Sequence, residues 1–310
     1  MSRLEAIEIV PARGPIRATV RIPGSKSITN RALPLAALCD GETELTGVLY
    51  ADDTWQMINA LQTLGYDLRM DQQARSVRII GRGRDLPAGT AQVLSCGNSG
   101  TTIRFLTAML CLGSGEYILD GIARMRQRPI DQLVDQLRAL GADIRYDAQP
   151  GFPPLRIGAG GLTGGGCRFS DAKSSQYISA VLMAAPLARE PVNVNLLGPI
   201  TSEPYVLMTL RMMEQFGIVP QLHDQCGTTV SRTIQVPTGM YRSPGGGQYA
   251  IEPDASNASY FLAASAVVPG SRVTVLGLGK NSLQGDVAFA DVLGRMGAKV
   301  EWLPEGVTIS

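Results

Sequence analysis

Several segments place cations and hydroxyls where a helix begins. In "IPGSKSITNRAL", residues 22–33, Lys26 stands at the start of an apolar-periodic run. Ser27 and Arg31 are four residues apart and share one helix face. A helix N-terminus carries unpaired N–H groups and a partial positive charge, so two cations and a hydroxyl beside it suit a phosphate or carboxylate. A nucleotide P-loop needs Gly directly before Lys, with a second Gly five residues earlier. Here Ser25 separates Gly24 from Lys26 and the earlier Gly is missing, so that reading fails.

Other segments repeat the theme. In "GNSGTTIRFL", Gly97 and Gly100 bracket Asn98 and Ser99 ahead of a helix that carries Thr101 and Arg104. Gly-rich turns let backbone N–H groups approach an anion closely, although a plain structural turn explains the motif about as well. In "GIARMRQRPI", Arg124, Arg126 and Arg128 alternate, and an extended backbone would turn all three to one side. Such a row faces either an anion or solvent. "DAKSSQYIS" adds Ser174, Ser175 and Gln176, and "TSEPYVLM" adds Ser202 and Tyr205. These neutral donors suit a phosphorylated polyol. Asp52 and Asp53 in "YADDTW" are candidates for acid–base work or for plain helix caps. His223 is the single histidine, and the five cysteines form no C-x-x-C pair, so neither a zinc site nor a His-based triad is expected.

The elements that position these residues recur. "LQTLGYDL", "LRALGADI", "MMEQFGIV" and "LGRMGAKV" each read as a helix end, a glycine and a strand, with Gly65, Gly141, Gly217 and Gly297 at the turn. Upstream of each lies a small-polar cluster opening another helix, followed by an apolar strand. The unit is cap, helix, strand, helix, Gly, strand, turn, strand, which predicts an α/β fold of layered sheets and helices. "RSPGGGQ", residues 242–248, is the best linker, with three units before it and one after. The expected organisation is an N-terminal strand within 1–24 that belongs to the second domain, a complete three-unit domain over 25–243, and one unit of an incomplete second domain over 244–310.

Bulk composition narrows the partners. The 310 residues are 45% hydrophobic and 18% charged with a net charge of +1, which argues against nucleic acid or an anionic membrane as partner. No run approaches the ~20 apolar residues of a membrane span, and no signal-peptide core follows the first methionine. A cytoplasmic protein with reduced thiols is expected.

Taken together, "PGSKSITNRAL", "GNSGTTIRF", "RMRQRPI", "SSQYISAVLMAAPLA" and "SEPY" resemble the 5-enolpyruvylshikimate-3-phosphate synthase family from about Pro23 to about Ala298. The resemblance implies two similar domains, each of three βαβαββ units. It also implies transfer of the enolpyruvyl group of phosphoenolpyruvate to the 5-hydroxyl of shikimate 3-phosphate, within aromatic amino acid biosynthesis. No metal or organic cofactor is implied, and a monomer is. Carried over, Lys26, Ser27 and Arg31 would serve both substrates. Ser174, Ser175, Ser202 and Tyr205 would hold shikimate 3-phosphate, with Gln176 between the two. Asn98, Gly100, Thr101 and Arg124 would line the phosphoenolpyruvate site, which the inhibitor glyphosate shares. Lys26 is the catalytic candidate.

Departures from the family pattern set further expectations. The family's later acid–base segments have no counterpart here, so the chain reads as an N-terminal part, inactive alone, with a C-terminal complementing fragment as candidate partner. A binding module for shikimate 3-phosphate without turnover is the alternative. An enolpyruvyl transferase acting on UDP-N-acetylglucosamine would carry Lys-Asn in place of Lys26-Ser27 and a reactive Cys before its Arg-Pro. An RNA 3′-phosphate cyclase would need a nucleophilic His in a context that His223 lacks. Pro34 should kink the first helix, and Lys173 adds a cation before Ser174.

Overall fold

A computed structural model describes residues 8, 10–225 and 231–310, leaving Cys226 outside the described residues. Two compact units are formed, one from Gly24–Ile251 and one from Met1–Pro23 with Glu252–Ser310. β1 (Arg17–Arg21) belongs to the smaller unit. The larger unit then runs α1 (Lys26–Ala37), β2 (Asp40–Thr46), α2 (Asp52–Leu64), β3 (Leu68–Asp71) and β4 (Ser76–Arg82). A second copy follows as β5 (Gly89–Ser95), α3 (Gly100–Leu110), β6 (Gly115–Asp120), α4 (Asp131–Ala139), β7 (Asp143–Tyr146) and β8 (Leu155–Ala159). The third is β9 (Gly165–Ser170), α5 (Ser175–Ala184), β10 (Val192–Leu197), α6 (Glu203–Gln215), β11 (Gln221–Gln225) and β12 (Ser231–Val236). After β13 (Gln248–Ala250) come α7 (Ala255–Val267), β14 (Arg272–Leu276), α8 (Phe289–Arg295), β15 (Val300–Leu303) and β16 (Gly306–Ile309).

Each copy builds one four-stranded mixed sheet with the same plan. In the second copy the order is β5-β6-β8-β7, with β5 and β6 parallel and the other two pairs antiparallel. The third copy repeats it as β9-β10-β12-β11. A parallel pair needs a crossover, which α3 and α5 supply. In the first copy the parallel strand comes from far along the chain, because β13 pairs with β2. In the fourth, β1 pairs with β14 in the same way. The α/β architecture of repeated units is therefore the one the sequence implies.

The division between units departs from the expected 243/244. It falls at Ile251–Glu252, because the strand after the Gly-rich segment is pinned into the larger unit. Gln248, Tyr249 and Ala250 register with Glu44, Leu45 and Thr46, and the Ile251 N–H donates to Thr46 O at 2.8 Å. The glycines end the linker without ending the domain.

Two local expectations had clear physical grounds. Gly65, Gly141, Gly217 and Gly297 adopt φ of 96°, 94°, 86° and 105°, the left-handed region that closes a helix without a Cβ clash. Pro34 lies inside α1, which runs on to Ala37. Proline removes the N–H that would meet the Asn30 carbonyl, and the buried Asn30 carboxamide also lacks a hydrogen-bond partner among the described residues.

α1, α3 and α5 form the interior of the larger unit. α3 packs against both of the others, and apolar residues on all sides of each are buried. The three helices therefore start near one another. In the smaller unit α7 and α8 cover the sheet, with Ala258, Leu262, Val275, Leu293, Val307 and Ile309 in its core. No helix among the described residues is long and apolar enough to cross a membrane.

Candidate functional site

Four helix starts of the larger unit surround one pocket of about 360 Å³, lined by Lys26, Asp52, Asp53, Asn98, Gly100, Thr101, Arg128 and Gln176. α1 begins at Lys26 with Ser25 as its cap; Ser25 Oγ accepts from the Ile28 N–H at 3.4 Å. The half-exposed Lys26 ammonium pairs with Asp53 at 2.9 Å. Asp53 itself sits in the first turn of α2, where a carboxylate complements the helix dipole. α3 is capped by Ser99, whose Oγ accepts from the Thr102 N–H at 3.2 Å. Thr102 Oγ1 also reaches Asp53 O at 3.2 Å, tying the starts of α2 and α3 together.

The arginine row does not form as expected. Residues Met125–Gln127 make a turn of 3-10 helix rather than an extended strand, so the three side chains diverge. Arg126 forms a two-point ion pair with Asp120, with bonds of 3.0 and 2.5 Å. Arg124 is exposed and bonds Gln127 at 3.0 Å, away from the pocket lining. Arg128 is the arginine that lines the pocket, with Nη1 donating to Asn98 O at 2.9 Å. Pro129 explains the difference. A residue before proline is pushed out of the helical region, and Arg128 leaves the turn at φ −96°, ψ 122°. The Arg-Pro pair was the available signal for Arg128.

Gly100 is where the backbone comes closest to that guanidinium. A Cβ there would lie 2.7 Å from Arg128 Cζ and 2.8 Å from Nη1, with Nη2 closer still. Only glycine lets Arg128 rest against the first turn of α3.

Arg31 lies on the other side of α1 and is buried, with 2% of its surface exposed. Nε donates to Thr209 Oγ1 at 2.7 Å, Nη1 to Ser27 O at 3.0 Å, and Nη2 to Ser179 Oγ at 3.2 Å and Tyr205 O at 3.3 Å. Its guanidinium stands 5.2 Å from the Phe105 ring centre and 5.8 Å from that of Tyr205. Burial pulls its pKa down to about 10 against the opposing effect of Tyr205, which still leaves it charged at neutral pH. Thr209 and Ser179, mid-helix residues in α6 and α5, complete this network and carried no sequence signal of their role.

The remaining expected residues cluster at α5 and α6. Ser174 caps α5 and accepts from the Gln176 N–H at 3.3 Å. Ser175 is buried in the first turn. Gln176 points into the pocket, its Oε1 accepting from Arg104 Nη1 at 2.5 Å and its Nε2 reaching Thr101 Oγ1 at 3.4 Å. Ser202 precedes α6 in a left-handed conformation, φ 56°, which costs a non-glycine residue of order 1–3 kcal/mol. Ser174, Ser175, Ser202 and Tyr205 lie outside the pocket lining, while Arg31 links Tyr205 and α6 to α1.

Two cations, two carboxylates and neutral donors thus share the pocket, which suits oriented capture of an anion. Among the described residues no cysteine lines it. Cys39, Cys96, Cys111 and Cys167 are buried, and burial raises all four pKa values, to about 12 for Cys39, Cys111 and Cys167. Among the described residues no cluster of His, Cys, Asp and Glu could hold a metal ion.

Residues 10–310 match the EPSP synthase (3-phosphoshikimate 1-carboxyvinyltransferase) family. The chain belongs to the EPSP synthase family. The 3-phosphoshikimate 1-carboxyvinyltransferase of Shewanella loihica is 48% identical over 288 residues, which cover 93% of this chain and 66% of that protein. That of Vibrio cholerae is 46% identical with the same coverage. The EPSP synthase structure from Acinetobacter baumannii superposes with a TM-score of 0.78 at 26% identity, over 97% of this chain and 65% of that one. The chain therefore spans just under two thirds of the length of these EPSP synthase relatives.

Proposed function

We propose that the chain takes part in transfer of the enolpyruvyl group of phosphoenolpyruvate to the 5-hydroxyl of shikimate 3-phosphate, with release of phosphate. The observation that carries this reading is the pocket where Lys26, Arg128, Thr101 and Gln176 converge at the starts of α1, α3 and α5, in a chain of the EPSP synthase family.

In this reading Lys26, Asn98, Gly100, Thr101, Arg128 and Gln176 receive phosphoenolpyruvate, with Arg128 in the role first expected of Arg124. Ser27, Arg31, Ser174, Ser175, Ser202 and Tyr205 receive shikimate 3-phosphate, with Lys26 and Gln176 shared. The hydroxyl oxygen gives up its proton and adds to C2 of the enol phosphate as C3 takes a proton; departure of phosphate from C2 with loss of a proton from C3 then restores the double bond. Charge grows on the departing phosphate oxygen, and fixed cations lower that barrier because they need no reorganisation. Holding both reactants in one cleft removes much of the entropic cost of bringing them together. Lys26, held by Asp53, brings a positive charge to the substrate anion.

Isothermal calorimetry with shikimate 3-phosphate tests the reading. Binding by the 310-residue chain is expected, with a strong loss in the Ser174→Ala/Ser175→Ala double variant. Absence of heat, or a double variant that binds like the parent, refutes it.

A further inference from the structure

Arg104 is the buried charge that the proposed function leaves without a task. It lies in the second turn of α3, 8% exposed, and has no carboxylate partner among the described residues. A buried cation without a counter-ion carries a desolvation penalty that an apolar residue of similar size would avoid. Burial accordingly draws its pKa downward, aided by the nearby Arg128. Nη1 donates to Gln176 Oε1 at 2.5 Å, Tyr177 is a second side-chain partner, and the guanidinium lies 4.9 Å from the centre of the Tyr177 ring. Tyr177 is itself anchored, its hydroxyl donating to Pro129 O at 2.7 Å, next to Arg128 in sequence.

A guanidinium has donors and no acceptor. The end of the Gln176 amide that meets Arg104 must therefore be its oxygen, and the NH2 end must face the other way. There it reaches Thr101 Oγ1, and both residues line the pocket. We infer that Arg104 is a positioning residue that locks the Gln176 amide with its N–H groups toward the pocket. The position then accepts a ligand oxygen with lone pairs, such as that of a phosphate or carboxylate, and rejects a hydrogen-bond donor. Without Arg104 the amide could turn over and present its own oxygen to an anion. This inference rests on the proposed anion-binding role of the pocket, but the amide orientation is observable without ligand.

Three measurements test it. In the 15N–1H spectrum of the ligand-free chain, the Gln176 side-chain NH2 pair should shift and broaden in Arg104→Gln. Calorimetry of the same variant with shikimate 3-phosphate should show a roughly tenfold loss of affinity, the worth of one charge-assisted hydrogen bond. In Gln176→Glu the new carboxylate should pair with Arg104, keeping the melting temperature at or above the parental value. Its second oxygen then faces the pocket, and affinity should fall by roughly a hundredfold through like-charge repulsion. Unchanged amide resonances together with parental affinity in Arg104→Gln overturn the inference. Should that variant fail to fold, a Gln176→Glu chain that keeps parental affinity, or melts well below the parent, overturns it. Absence of shikimate 3-phosphate binding by the parent chain would instead sink the functional reading, and the amide spectrum would still decide the orientation.

Discussion

Gly100→Ala tests whether Arg128 clamps an anion. Gly100 is the first residue of α3 and is not among the glycines with positive φ, so alanine meets no backbone strain. Its Cβ, however, would come within 2.7 Å of Arg128 Cζ, where ordinary contact begins at 3.4 Å. The guanidinium must move by on the order of 1 Å, a displacement that costs about a hundredfold where a group has to be oriented. The 2.9 Å bond from Arg128 to Asn98 O is strained or lost in that move, and a hydrogen bond from a charged group contributes about 1.5–3 kcal/mol. Phosphoenolpyruvate affinity, measured by calorimetry with shikimate 3-phosphate present, is therefore expected to fall between about ten- and a hundredfold. Stability should hardly change, because the obstacle is the far end of a flexible side chain and alanine gains up to about 1 kcal/mol of helix propensity. Shikimate 3-phosphate affinity should stay near the parental value. Parental phosphoenolpyruvate affinity in a folded variant would refute the assignment of Arg128.

Two further outcomes follow from the buried and paired charges. Arg31→Met should cost only about 1–3 kcal/mol in denaturant unfolding, because Thr209 and Ser179 keep their 2.8 Å bond to each other and a buried charge is removed. The same variant should lose shikimate 3-phosphate binding; a larger destabilisation with binding retained would make Arg31 structural. In the smaller unit, hydrogen bonds from Arg272 and Lys299 hold the Glu301 pKa down at about 2, against an ordinary 4.5. A depressed carboxylate stabilises the fold fully above its unfolded pKa and loses that contribution as pH falls through the folded one. Melting curves between pH 4.5 and 2 should show an acid-dependent loss that Glu301→Gln flattens, and identical acid limbs would contradict it.

Much of the fold was legible because local rules and global packing agreed. The four glycines marked helix ends, since only glycine enters the left-handed region without penalty, and each copy then turned into a strand. The small-polar clusters marked helix starts because hydroxyls and carboxylates satisfy the first N–H groups, as Ser25, Ser99, Ser174 and Asp254 do. Pro34 sits inside a helix that continues past it. Proline disfavours a helix interior, yet α1 is held by burial on nearly every side, and tertiary packing outweighs one missing hydrogen bond.

By itself the sequence determined the repeat, the α/β class and the residue types that gather at helix starts, because periodicity and caps act over a few residues. Only the tertiary structure decided that the strand after the Gly-rich segment completes the first sheet, since β13 pairs with β2 far back along the chain, whereas β1 joins the second domain as the sequence reading expected. It also decided which arginine lines the pocket. Alternation along an extended chain would have grouped Arg124 with Arg128, but a single 3-10 turn ended by Pro129 sends one outward and the other against Gly100. Side-chain direction depends on backbone angles and on what packs opposite, and neither is written in the spacing of charges.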